Sequence, residues 1–291
     1  MSPLNELQYL QGVYRQVLTS EGLTAFVNGS YAWGRPGTPT LDLLEYATRT
    51  TYGEVGLSYP VFRARERNLI LSGLAFLSDS SSDVFEQPFN RDRLRGARLK
   101  VDGDYADFLQ AVNLFNVTLS KGIEGLGSTL NDNPFASRAS GRVDFTKLEG
   151  YVSRMQPLAA NFSLLLRAYG QYALNPLLSP EQCGYGGSVF GRAYDPSDLL
   201  GDSCWEVSAE LRYDVPTTAP FELAQVYGFV DYGDLHTIDA VGIAADTRAA
   251  SAGVGFRVGR VDLVTADLSV AKAIDGPRDD ERFFVILTAH N

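Results

Sequence analysis

The feature that most constrains this chain is a period of two that returns along most of its length. Between 162 and 172, Phe162, Leu164, Leu166, Ala168 and Tyr172 fall on one face, with Ser163, Arg167 and Gln171 on the other. Between 205 and 213, Trp205, Val207, Ala209, Leu211 and Tyr213 oppose Glu206, Ser208, Glu210 and Arg212. Ala250, Ala252, Val254, Phe256 and Val258 oppose Ser251, Gly253, Gly255 and Arg257, and Val264, Ala266, Leu268 and Val270 oppose Thr265, Asp267 and Ser269. Successive side chains of a strand point to opposite faces, so these are strands with one dry and one wet side. The sequence offers no convincing amphipathic helix.

The pattern predicts thirteen strands, over 6–18, 22–34, 46–60, 67–78, 94–104, 109–121, 143–155, 161–173, 205–213, 221–233, 247–258, 261–272 and 282–289. Each is on the order of ten residues, the length that crosses a bilayer at a tilt. The connections alternate. Short ones (19–22, 61–66, 105–108, 156–160, 214–220 and 259–260) take turns with long ones (35–45, 79–93, 122–142, 175–204, 234–246 and 271–281). Outer-membrane barrels are built with short turns on the periplasmic side and long loops outside. The expected fold is therefore all-β, an antiparallel transmembrane β-barrel. Trp33, Tyr59 and Trp205, near strand ends, suit interfacial aromatic girdles.

Composition narrows the alternatives. No run approaches the 18 apolar residues of a membrane-spanning helix, whereas barrel strands average out in any hydropathy window. Aromatic content of 11% and 28 glycines suit a barrel and equally a soluble all-β protein with a solvated outer face. A formal net charge of −10 argues against nucleic acid as a partner. The two histidines, His236 and His290, and the two cysteines lack metal-ligand spacing, so neither metal nor cofactor is expected. Asp195, Asp198 and Asp202 do not follow the calcium-loop spacing and read as polar turn residues. Without a nucleophile elbow or a phosphate-cradling glycine loop, the chain does not read as an enzyme.

The longest connection, 175–204, exceeds any ordinary hairpin loop and points to a function of its own. Its run EQCGYGGSVFGRAYDPSDLLGDSC, from Glu181 to Cys204, is glycine-rich and polar. Cys183 and Cys204 bracket it. In an oxidising compartment they can close its base as a disulfide; two free thiols are the other reading.

This loop resembles the lumenal plug loop of the haemolysin secretion/activation proteins of ShlB/FhaC/HecB type, the outer-membrane transporters of two-partner secretion. Glu181, Gln182, Gly186, Gly187, Arg192, Tyr194, Gly201 and Asp202 match the family's E-Q-F-x-x-G-G-x-x-S-V-R-G-Y and following S-G-D pattern. Cys183 stands in place of the usual aromatic, and Ala193 in place of the glycine after the arginine. The runs LSYPVFRARERNL (57–69), FTKLEGYVSRMQPL (145–158) and FVDYG (229–233, with Phe229, Asp231 and Gly233) extend the match.

The resemblance implies a loop folded into the barrel lumen with its arginine paired to an aspartate of the wall, here Arg192 and Asp231. The alternation agrees: Asp231 lies in register with Gln225 and Tyr227, opposite Ala224, Val226 and Val230. The tip residues Gly186, Gly187, Arg192, Ala193, Tyr194, Asp195, Gly201 and Asp202 form the expected lumenal motif. The implied partners are a secreted TpsA-like exoprotein, the outer-membrane bilayer and the barrel-assembly machinery. Bacterial barrels have an even strand number with both termini periplasmic, and the family's barrel has about 16 strands. Residues 1–291 are thus expected to be one partial barrel domain, with signal peptide, POTRA domains and first strands absent. A passive porin or ligand-binding barrel is the alternative.

Overall fold

The structure is a computed structural model that describes residues 8–35, 43–217, 221–238, 245–260, 262–279 and 281–289. Residues 6–7 and Val261 of the expected strands, and His290, lie outside the described residues. The strands are β1 (Gln8–Val17), β2 (Thr24–Gly34), β3 (Ala47–Arg63), β4 (Arg67–Val84), β5 (Gln87–Ala106), β6 (Val112–Gly122), β7 (Thr146–Pro157) and β8 (Phe162–Ala173). After them come the short β9 (Cys183–Tyr185) and β10 (Leu199–Gly201), then β11 (Ser203–Asp214), β12 (Leu223–Thr237), β13 (Ala245–Arg260), β14 (Val264–Asp275) and β15 (Glu281–Ala289). Thirteen of them form one antiparallel sheet in chain order, with β8 pairing directly to β11 around the excursion that holds β9 and β10. The strand number equals the number expected from the alternation.

The two faces separate as the period requires. On β12, Gln225, Tyr227, Phe229 and Asp231 are buried, while Val226 and Val230 are exposed. Leu99, Val117, Leu166, Val207, Leu211, Val254 and Leu268 are exposed too, an apolar outer surface suited to lipid and not to water. Trp33, Tyr59 and Trp205 are exposed, and Trp205 packs against Tyr232 of the neighbouring strand at 5.0 Å. What is buried lies inside the curve of the sheet. One cluster joins Leu74, Phe76 and Leu94 to Val143, Phe145, Leu177 and Leu178; a second joins Tyr185, Ala193 and Tyr194 to Tyr227, Phe229 and Leu235. Both contain residues of the long 174–202 connection, which packs on the inner face of the sheet. Away from it, β1 is exposed along all of its length after Gln8.

One expected loop is not a loop. The connection predicted over 79–93 is a projecting hairpin, with β4 running to Val84 and β5 starting at Gln87. Phe85 and Glu86, at φ 50° and 60°, make a two-residue turn. Above the bilayer both faces of a strand meet water or polar loops, so the stretch loses its apolar row and reads as loop by composition. Its pairing and ion pairs such as Arg95–Asp79 and Arg49–Asp83 hold it as sheet. For the same reason β12 extends past Gly233 to Thr237, and β14 past Lys272 to Asp275.

Candidate functional site

After β8 the chain turns into the bore through the buried Leu177 and Leu178 and a single 3-10 turn, Ser179–Glu181. It then doubles back on itself: Cys183 pairs with Gly201, Gly184 with Leu200 and Tyr185 with Leu199. The tip between β9 and β10 needs glycine. Gly186 and Gly187 sit at φ 122° and 118°, and a Cβ on Gly186 would collide with the Asp195 carbonyl oxygen. Gly191, at φ 65°, makes the turn just before Arg192, so Ala193 is not required to take a left-handed conformation and is simply buried. Cys183 and Cys204 are joined in a disulfide across the root of the loop, with Cα atoms 6.5 Å apart.

At the tip, Arg192 is buried and spends its donors on one patch of wall. Its Nε donates to Asp231 Oδ2 at 3.0 Å and its Nη2 to Asp231 Oδ1 at 2.8 Å, a bidentate fork. Its backbone N–H donates to the same carboxylate at 3.1 Å. Nη1 donates to Glu210 Oε2 at 2.6 Å and Nη2 to Ser208 Oγ at 3.1 Å. The guanidinium lies over the Phe229 ring, 3.3 Å from its centroid, where the negative face of the ring favours a cation. Sheet register explains the fit: Asp231 stands between Ser208 of β11 and Ser251 of β13, two small residues that leave room for the fork. Ser251 Oγ donates to Asp231 Oδ2 at 3.2 Å.

Glu210 was not singled out from the sequence, although it stands on the polar row of β11. It accepts from Arg257 Nη1 at 3.0 Å and Arg212 Nε at 2.7 Å besides Arg192. Arg257 passes the chain of charges on to Asp267, at 2.7 Å. Tyr194 packs on Tyr185, ring centroids 5.5 Å apart, and donates to the Asp275 carbonyl at 2.7 Å. Gly233 lets the Tyr185 ring lie flat on the wall, where any Cβ would strike it.

The root is held differently. Asp202, fully buried, accepts from the backbone N–H groups of Leu177 at 2.9 Å and Ile238 at 2.6 Å, and from both terminal nitrogens of Arg138. It thereby ties together the 174–202 loop, the 123–145 loop and the segment after β12. Within the 123–145 loop, Arg142 grips Asp144 through two hydrogen bonds and holds that carboxyl down at about 2. Glu181 reaches the opposite flank, with Oε1 2.7 Å from Arg98 Nη2 of β5 and Oε2 2.9 Å from Lys147 Nζ of β7. Neither Arg98 nor Arg138 falls in a run marked from the sequence, and Lys147 falls in the 145–158 run without standing out from it. Each matters only through what the fold places beside it. Asp195, Asp198 and Asp202 each face an arginine (Arg282, Arg278 and Arg138), which accounts for all three as ion-pair partners.

The family model for the haemolysin secretion/activation protein ShlB/FhaC/HecB matches residues 44–258, which include Arg192, Glu210 and Asp231. The chain belongs to this family. Haemolysin secretion/activation proteins are secretion proteins and not enzymes, and the thirteen-stranded sheet is that of a bacterial outer-membrane barrel. Among solved structures it is similar to CdiB from Escherichia coli (TM-score 0.72, 16% identity, 97% of this chain and 55% of that one). It is also similar to CdiB from Acinetobacter baumannii (TM-score 0.68, 18% identity, 97% and 51%). BamA from Haemophilus ducreyi lacking POTRA domains 1–3 matches with TM-score 0.68 and 13% identity over 97% of this chain and 62% of that one. The chain thus spans 51% to 62% of the length of these relatives in fold. No curated protein matches the sequence significantly.

Proposed function

We propose that the protein is the barrel portion of an outer-membrane transporter that exports a large partner protein, with the 174–202 connection as its lumenal plug and gate. The observation that carries this reading is the buried Arg192–Asp231 fork, which spends a charged side chain on holding a long loop inside a polar bore. A free loop of this length has much conformational entropy to lose on docking, and opposing buried charges offset that loss. The exported partner, in this reading a TpsA-like exoprotein, competes for the wall, lifts the tip and threads through the vacated lumen. Folding of the emerging chain outside drives the export, with no nucleotide and no bond chemistry.

The test is Asp231→Asn in the complete protein, which keeps the shape and removes the negative charge. Secretion of the partner should fall by about tenfold or more while the amount of assembled barrel stays unchanged, since a tenfold change corresponds to only about 1.4 kcal/mol. Undiminished secretion would remove the gate role. A large, steady conductance from the unmodified protein would favour a passive porin instead.

A further inference from the structure

We propose that the outer surface of β5 at the extracellular rim binds a phosphorylated lipid head group of the outer leaflet through Arg91 and Arg93. On β5 the even residues face the bore: Asp92 and Leu94 are buried there, and the Arg98 guanidinium lies over Phe76. The odd residues face outward. Read towards the extracellular side, that outward column is Leu99, Ala97, then Arg95, Arg93 and Arg91. On β4 the neighbouring outward column changes at the same height, from Leu71, Ala75 and Leu77 to Asp79 and Ser81. The register confirms the level, with Leu77 opposite Arg95, Asp79 opposite Arg93 and Ser81 opposite Arg91. The lipid-facing band therefore ends at Leu77 and Ala97, and the arginines rise directly above it, where head groups lie.

The charges there do not cancel. Asp79 is taken by Arg95, which reaches both of its oxygens, and Asp83 by Arg49 at 3.1 Å. Among the described residues no carboxylate lies within ion-pair distance of Arg91 or Arg93, and both are exposed. This is a local positive excess in a chain of formal net charge −10. Alternate residues of a strand are about 7 Å apart, close enough for two long guanidinium side chains to converge on one phosphate.

The site also has walls. The 123–145 loop folds against the β5 edge above the end of β6: Thr129 N–H donates to the Arg93 carbonyl at 2.9 Å and Arg91 N–H to the Phe135 carbonyl at 2.6 Å. Between loop and strand lies a groove of about 430 Å³ lined by both arginines and by Pro88, Leu130 and Phe135. Paired cations beside apolar side chains, continuous with a lipid-facing column, match an anionic head group with its acyl chains below. The fork geometry of arginine selects phosphate among the anions.

The probe is bisphosphorylated lipid A, titrated into the complete protein in detergent and followed by native mass spectrometry. Retention by the wild type and a loss of about 30-fold in Arg91→Gln/Arg93→Gln, roughly fivefold per arginine, are expected. Arg248→Gln, which removes an exposed arginine paired with Asp234 on another sector, should bind as wild type. Arg91→Lys/Arg93→Lys keeps the charges and should lie between wild type and the glutamine variant. Lipid A stripped of its phosphates should not be retained, and inorganic phosphate at equal concentration should not displace the lipid. Equal binding by the glutamine variant, equal loss in the lysine and glutamine variants, or displacement by inorganic phosphate would each overturn the assignment.

Discussion

The tip and the root of the 174–202 loop are both buried and both ionic, yet they are built on opposite plans. The tip is centred on one buried cation, Arg192, docked on anionic side chains of two adjacent strands, β11 and β12, with the Tyr194 hydrogen bond and the Asp195–Arg282 and Asp198–Arg278 pairs beside it. The root carries anions, Asp202 and Glu181, held by Arg138, Arg98 and Lys147 from two strands and a neighbouring loop. Backbone donors, the β9–β10 pairing and the Cys183–Cys204 disulfide hold the root as well. Removing Asp231 therefore takes away the buried charge pair of the tip, whereas the root keeps its disulfide and its strand pairing when any one charge is lost. The difference teaches where motion is cheap: a loop cross-linked at its base and held at its end by non-covalent contacts centred on one charge swings rather than withdraws.

Trypsin reads this comparison directly, because Arg192 is the sole lysine or arginine between 175 and 204. The largest effect is expected for Asp231→Ala. Stripping a partner from a buried pair costs about 3–5 kcal/mol, so cleavage after Arg192 should accelerate about 100-fold or more. Unaltered protection would mean that Glu210 and Phe229 suffice, and the tip would be as redundant as the root. Next comes Asp202→Ala, which leaves two buried N–H groups and Arg138 without their acceptor. A loss of about 2–3 kcal/mol in urea unfolding is expected, with Arg192 still protected. Arg192 as labile as in Asp231→Ala would show that tip and root act as one unit. The smallest change is Glu181→Gln, at about 1 kcal/mol, since Lys147 keeps Glu149 and Arg98 keeps its stacking on Phe76. An unfolding shift equal to that of Asp202→Ala would place the weight of the root on the β5–β7 flank.

Much of the sheet was legible from residue order. Period-two rows on β8, β11, β13 and β14 mark faces that the structure keeps, because lipid outside and polar bore inside both demand them. The 79–93 stretch reads as a loop because that demand lapses above the membrane, where its strands carry serine and aspartate on both faces and arginine on the outer one. At the site, Arg192 and Asp231 stood out through motif and register, whereas Glu210 looked like one more polar residue of an alternating strand.

By itself, then, the sequence determined an antiparallel sheet of about thirteen strands, its outward and inward rows, and the unusual length and glycine content of one connection. Those are local properties, set by the two-residue period and by the backbone freedom of glycine. Only the tertiary structure decided that Arg138, Arg98 and Lys147 meet the 174–202 loop and that the 123–145 loop folds beside Arg91 and Arg93. These pairings join positions up to 83 residues apart, between Arg98 and Glu181. No local periodicity encodes such contacts; they arise when the sheet curls and brings distant polar rows to face one bore.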